Sequence, residues 1–146
     1  MSYLVDTNVL LRSAQETHSM DKSSVQAVRI LLEQGKRLCI IPQNLIEFWV
    51  VATRPIEVNR LGLSVADAFN ELEQLKNCFV LLPDTASIFP VWESLIAKYK
   101  VTGKPSHDAR LVAAMIAHNL THLLTFNTSD FRRFSEITAL DPHNIS

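Results

Sequence analysis

The chain is poor in cysteine, in net charge and in long apolar runs, and each shortage excludes a class of protein. Its two cysteines, Cys39 and Cys78, cannot build a disulfide framework, and no CxxC motif is present. Both lie in apolar runs, LCII and CFVLL, where buried free thiols are expected. The formal charge is only -1, whereas proteins that coat duplex DNA nonspecifically are basic. A local basic rim around a cleft is compatible with that balance. No apolar run reaches the length of a bilayer span. Asp6 and Arg12 interrupt any apolar core of a signal peptide, so a soluble, cytoplasmic protein is expected, with no membrane partner. The five histidines include no HExxH pair. His118 closes a predicted helix and His122 opens a predicted strand, so catalytic zinc is not expected.

What the sequence does contain is one globular domain's worth of alternating elements. With 146 residues, 47% of them hydrophobic and 20% charged, the chain reads as a single domain over 1–146. Such a chain buries roughly 68–70% of its unfolded surface. No repeat, low-complexity segment or linker interrupts it.

Tyr3-Leu4-Val5 reads as a buried strand, followed by a short helix through Val9, Leu10 and Leu11 that Asp6 or Thr7 caps. Ser23-Ser24 opens a helix with Val25, Val28, Leu31 and Leu32 on one face, ended by Gly35. LCII is a strand, and Pro42 leads into the helix NLIEFWVVA. Arg54-Pro55 ends that helix. Ser64 caps a helix carrying Val65, Ala68, Phe69, Leu72 and Leu75. CFVLL is predicted as a strand, and residues 85–99 as a helix with Ile88, Val91, Trp92, Leu95 and Ile96 inward. KVTGKPS is a loop, HDARLVAAMIAHN a helix, HLLTF a strand, NTSDFRRF a turn and ITAL a last short strand. Trp49 and Trp92 are expected in the core.

This alternation predicts an α/β fold, a mainly parallel sheet covered by helices on both faces. Ligands of such sheets bind beyond the carboxyl ends of the strands, where the strand order switches.

Four polar side chains stand out against the apolar elements. Asp6 ends the first strand and serves either as a helix cap or as a chemical anchor. Glu47 is the only formal charge between Arg37 and Arg54, on a helix apolar on nearly every face and therefore expected to be buried. A carboxylate taken out of water costs several kcal/mol unless it is compensated. Asp108 falls in the first turn of a helix that Ser106 is expected to cap, where the helix dipole favours an anion. Asn127 and Thr125 end the strand HLLTF, with Asp130 three residues on. Each has a bland reading as cap, ion pair or turn residue. Taken together, they could converge on one crevice of a doubly wound sheet. Three carboxylates there would repel each other, and a hard divalent cation such as Mg²⁺ or Mn²⁺ relieves that repulsion. Such an ion serves phosphoryl chemistry.

The stretches YLVDTNVLL, IPQNLIEFWVVATRP and GKPSHDARLVAAMIAHNLTHLLTFNTSDFRRF, in that order, resemble the PIN domain. Within it they resemble the VapC-type toxin ribonucleases of bacterial toxin–antitoxin pairs. The resemblance implies a three-layer α/β/α sandwich and a Mg²⁺- or Mn²⁺-dependent endoribonuclease. It implies metal ligands at Asp6, Glu47 and Asp108, with Asn127 at a fourth position that takes an acid or Asn and orients water or an outer ligand. Asp130 could support that position, and Thr7 and Thr125 match polar positions that orient ligands or water. It also implies an RNA substrate, a homodimer and a small cognate antitoxin whose tail fills the active-site groove.

Arg12, Arg54, Arg60, Lys104, Arg110, Arg132 and Arg133 are candidates for contacts with RNA phosphates, or else ordinary solvated surface. His107 could touch substrate. The Ser64–Leu75 helix is a candidate for dimer or antitoxin contact. Phosphatase and phosphorelay readings are weaker. The former needs an acid where Asn8 stands, and the latter a lysine where Asn127-Thr128 stand. A noncatalytic PIN-like binding module and a PIN nuclease of RNA maturation without an antitoxin remain as alternatives.

Overall fold

The computed structural model describes residues 1–15, 22–55 and 62–146. Five strands form one sheet: β1 Ser2–Val5, β2 Arg37–Ile40, β3 Val80–Leu81, β4 His122–Leu124 and β5 Thr138–Leu140. Seven helices are described: α1 Thr7–Gln15, α2 Ser23–Glu33, α3 Pro42–Ala52, α4 Val65–Cys78, α5 Ile88–Tyr99, α6 Pro105–Ala117 and α7 Thr128–Phe131. A 3₁₀ turn, Pro142–Asn144, follows β5. The strand order is β3-β2-β1-β4-β5 and every pairing is parallel. This is the expected PIN-like α/β/α sandwich.

Side-chain alternation along the strands builds two cores. Leu4, Cys39 and Leu123 face one cluster with α5, α6 and the α7 region. Tyr3, Val5, Leu38, Ile40 and Leu124 face the other, with α1, α2 and α3. A strand apolar on both faces is what a sheet sandwiched between helix layers requires. On α6, Ala109, Ala113 and Ala114 are buried beside Leu111, Val112 and Met115. Their small side chains let α6 lie close against the sheet and α5.

The topology fixes the place of the crevice. From β1 the chain moves outward to β2 and β3 on one side. It then crosses back to β4 and β5 on the other. The switch therefore lies between the carboxyl ends of β1 and β4, where Asp6 and Thr125 sit. Asp6 N–H donates to the Leu124 carbonyl at 2.9 Å, so the β1–β4 register extends into the site.

Several helices differ from expectation. In α2 the buried stripe is Ser24, Ala27 and Leu31, whereas Val25 and Leu32 are each 47% exposed. The helix is turned by about one position, since Ser24, Ala27 and Leu31 keep the spacing of a helical face. Helix α2 ends as predicted at Gly35, whose φ of 79° permits the Lys36 N–H to reach the Leu31 carbonyl. Helix α3 is not buried all round: Ile46 and Val50 are 63% and 45% exposed, because that face borders a cavity rather than the core.

The predicted strand CFVLL is shorter than expected. Helix α4 runs on through Cys78, which is exposed, and only Val80 and Leu81 pair. Cys39 is buried as expected, but Cys78 is not. A two-residue strand suits a sheet edge, where a longer one would offer unpaired groups to other chains. Trp49 and Trp92 are half-buried at the margin of the core. Helix α6 starts at Pro105, with Lys104 rather than Ser106 at its cap position. Proline suits the first helical position because its missing N–H would be unpaired there anyway. Among the described residues no helix is long and apolar enough to cross a membrane.

Candidate active site

A cavity of about 700 Å³ opens at the switch point. Asp6, Thr7 and Asn8 come to it from the end of β1 and the start of α1. Asn127 comes from the end of β4. These residues form its floor. Gln43, Glu47, Val51 and Arg54 line it from α3 and its end, His107, Asp108 and Arg110 from α6, and Asp84 from the segment after β3. These form its wall. Ile46, Val50 and Leu11 add an apolar lip. Four carboxylates therefore face the cavity against two guanidinium groups.

The floor is held by short, buried bonds. Asp6 Oδ1 accepts the Thr7 N–H at 2.8 Å and Oδ2 accepts the Thr125 hydroxyl at 2.8 Å. Thr125 is fully buried. Its oxygen in turn accepts the Asn127 N–H at 3.0 Å and the Asn8 amide at 3.3 Å. Oδ1 thus takes the N–H of the first residue of α1 rather than the second- or third-residue N–H of a helix cap, while the carboxyl lines the cavity.

The wall is tied by side chains. Thr7 Oγ1 donates to Glu47 Oε1 at 2.8 Å and accepts from the buried Asn44 amide at 3.2 Å. Asn44 Oδ1 takes the Ile41 N–H at 2.9 Å. Gln43 Nε2 reaches Glu47 Oε2 at 3.3 Å.

Burial, opposed by the Thr125 and Thr7 hydrogen bonds and reinforced by the charges of Glu47 and Asp108, raises Asp6 from 3.8 to about 6. Asp108 also rises to about 6, by burial first and then by repulsion from Asp130 and Glu47, against the pull of His107 and Arg133. In both groups burial, with repulsion from neighbouring carboxylates, disfavours the charged form. The donor set consists of hard, anionic oxygens and so fits a divalent cation, which would relieve that repulsion. Among the described residues no three His, Cys, Asp or Glu side chains form a group placed to hold an ion. The carboxylates share the cavity without meeting at one ready-made centre.

The sequence profile of the PIN domain matches residues 3–137. The chain belongs to the PIN domain family. The resemblance read from its motifs is borne out at that level, and PIN domains are as a class divalent-metal-dependent nucleases. No curated protein matches the chain significantly in sequence. Solved PIN-fold structures align along nearly all of it. VapBC-1 from nontypeable Haemophilus influenzae is 16% identical with a TM-score of 0.74, covering 99% of this chain and 100% of that one. VapBC2 from Rickettsia felis, bound to a DNA fragment from its promoter, is 16% identical with a TM-score of 0.72 and coverage of 97% and 98%. FitAcB from Neisseria gonorrhoeae is 18% identical with a TM-score of 0.65 and coverage of 97% and 99%. At these identities the likeness is one of fold.

Of the candidate residues, Asp6, Thr7, Glu47, Arg54, Asp108, Arg110 and Asn127 line this PIN cavity, as does His107. Thr125 supports it from beneath. Asp130 acts on Asp108 through its charge. Arg12 instead lies over the Phe126 ring, 4.7 Å from its centre. Lys104 sits at the cap of α6, Arg132 borders a separate cavity and Arg133 lies over Phe134. Arg60 falls outside the described residues. Asn8, Gln43, Asn44 and Asp84 escaped the sequence reading. Gln43 and Asn44, four and three residues before Glu47, carried a local signal, since those spacings make helix neighbours.

Proposed function

We propose that the protein is a Mg²⁺- or Mn²⁺-dependent endoribonuclease, a VapC-type toxin working in the cytoplasm. In this reading residues 1–146 form a single PIN domain that assembles as a homodimer and is restrained by a small cognate antitoxin. One observation carries the proposal. Three carboxyls, from the end of β1, from α3 and from α6, line one cavity at the sheet's switch point, and burial raises two of them to about 6. The antitoxin finds support in PIN-fold relatives solved as VapBC complexes and in one described as a toxin–antitoxin complex from Klebsiella pneumoniae.

Asp6, Glu47 and Asp108 would hold the ion. When bound, it supplies the Lewis acidity that activates water and neutralises charge on the phosphoryl group. Thr125 and the Thr7 N–H keep Asp6 turned toward the cavity, and Thr7 Oγ1 does the same for Glu47. The Asn127 amide lines the same space and can orient water beside the phosphate. Arg54 at the end of α3 meets the backbone phosphates of an entering strand.

The deciding experiment is RNA cleavage by purified protein with Mn²⁺ or Mg²⁺, with and without EDTA, beside a folded Asp108→Asn variant. Cleavage is expected to vanish with EDTA and to fall by roughly 10³-fold in the variant, the size of effect seen when a charge-stabilising group is lost. A folded wild type that cleaves no RNA and takes up no Mn²⁺ would replace this reading with that of a noncatalytic PIN-like docking module.

A further inference from the structure

Gln43 lies one turn before Glu47 on α3, and its amide makes contacts at both ends. Nε2 donates to Glu47 Oε2 at 3.3 Å and to the main-chain oxygen of His107 at 3.0 Å. Oε1 accepts from Arg110 Nη1 at 2.9 Å. An amide can sit in either of two orientations, and the wrong one would set an oxygen against the Glu47 carboxylate. A guanidinium has donors only, so Arg110 selects the orientation that turns the NH₂ toward Glu47. Arg110 is in turn paired through Nη2 with Asp84 Oδ1 at 3.4 Å. The contacts run from the segment after β3, through α6, to Glu47 on α3.

Two consequences follow for the carboxyls. Glu47 receives one donor on each oxygen, Thr7 on Oε1 and Gln43 on Oε2, which fixes the plane of the group. The residue after His107 is Asp108, so the amide that orients Glu47 also ties α3 to the first turn of α6. We propose that Gln43 is a positioning residue that sets the spacing of Glu47 and Asp108 for uptake of a divalent cation. Arg110 acts through it by fixing the direction of its amide. This rests on the metal-centre reading above.

The test measures Mn²⁺ affinity by calorimetry on the full chain without RNA, beside the melting temperature in EDTA. Gln43→Leu keeps the bulk and removes the hydrogen bonds. It is expected to weaken Mn²⁺ binding about tenfold, as loss of a group that orients a metal ligand does. Arg110→Met is expected to weaken it by a smaller factor. The double variant should bind no more weakly than Gln43→Leu alone, because the two act as one unit. A merely structural role would lower the melting temperature and leave Mn²⁺ affinity unchanged. Equal affinity in wild type and both single variants overturns the proposal and leaves the metal reading standing. Losses that add in the double variant overturn the claim that Arg110 works through Gln43. A wild type that takes up no Mn²⁺ overturns the metal reading, and the proposal with it. Should Gln43→Leu fail to fold, Arg110→Met carries the same comparison.

Discussion

The floor and the wall of the cavity differ in how much of their support comes from the main chain. On the floor, Asp6 is fixed by a main-chain N–H and by a fully buried hydroxyl, and its neighbours are locked in the β1–β4 register. On the wall, Glu47 is fixed by side chains of Thr7 and Gln43, the latter answering to Arg110. A main-chain tie moves only if the backbone of β1 and α1 moves. A side-chain tie can be retuned by one substitution, so the wall yields at Thr7 or Gln43 and the floor only at Thr125.

The largest expected break in this comparison comes from Asp6→Asn. Cleavage should fall by roughly 10³-fold, as for a charge-stabilising group. The metal-free protein should nevertheless become more stable at pH 8, by about 1–2 kcal/mol, because an uncompensated buried charge has gone. Urea unfolding in EDTA checks the second part, and a variant destabilised at pH 8 would refute it.

Next in size is the pH dependence of the metal-free wild type. Asp6 titrates near 3.8 when unfolded and about 6 when folded, so between these values the folded state binds more protons. Stability is therefore highest below about pH 4 as far as this group is concerned. It is lost as pH rises through 6, on the order of 3 kcal/mol at most. Asp108 adds a smaller, solvent-screened share in the same direction. Unfolding curves at pH 5 and pH 8 in EDTA should show the loss, and excess Mn²⁺ at pH 8 should restore it by binding the folded state alone.

The smallest effect belongs to Thr125→Val, which removes the hydroxyl under Asp6. A hydrogen bond to a charged group contributes about 1.5–3 kcal/mol, and the burial of Thr125 places the loss within that range. A melting temperature in Mn²⁺ unchanged from wild type would show that the floor does not need its buried hydroxyl.

Much of the floor was legible in the sequence, because a strand ending in Asp6 and another ending near Asn127 are local patterns. The order of strands and helices, the start of α4 at Ser64 and the stop at Gly35 were local in the same sense. The wall was less legible. Gln43 and Asp84 gain their roles from Arg110, which is 67 residues from Gln43 in the chain, and no spacing rule reaches that far. The exposure of Ile46 and Val50 also escaped, since apolarity tells that a helix avoids water but not that a cavity takes part of its face. Cys78 was misplaced because CFVLL is equally apolar as a helix end or as a strand, and tertiary packing decided between them.

The bond between Thr125 and Asp6 joins residues 119 apart in the chain, and this has a consequence for biosynthesis. Asp6 leaves the ribosome 119 residues ahead of Thr125, which follows β4, the inner neighbour of β1. A nascent chain short of Thr125 holds β1 with one flank open and Asp6 without its hydroxyl. Contacts this distant in sequence also form slowly. On the nuclease reading proposed above, a site built this way is completed only once Thr125 has emerged, which leaves an interval in which a restraining partner can accumulate.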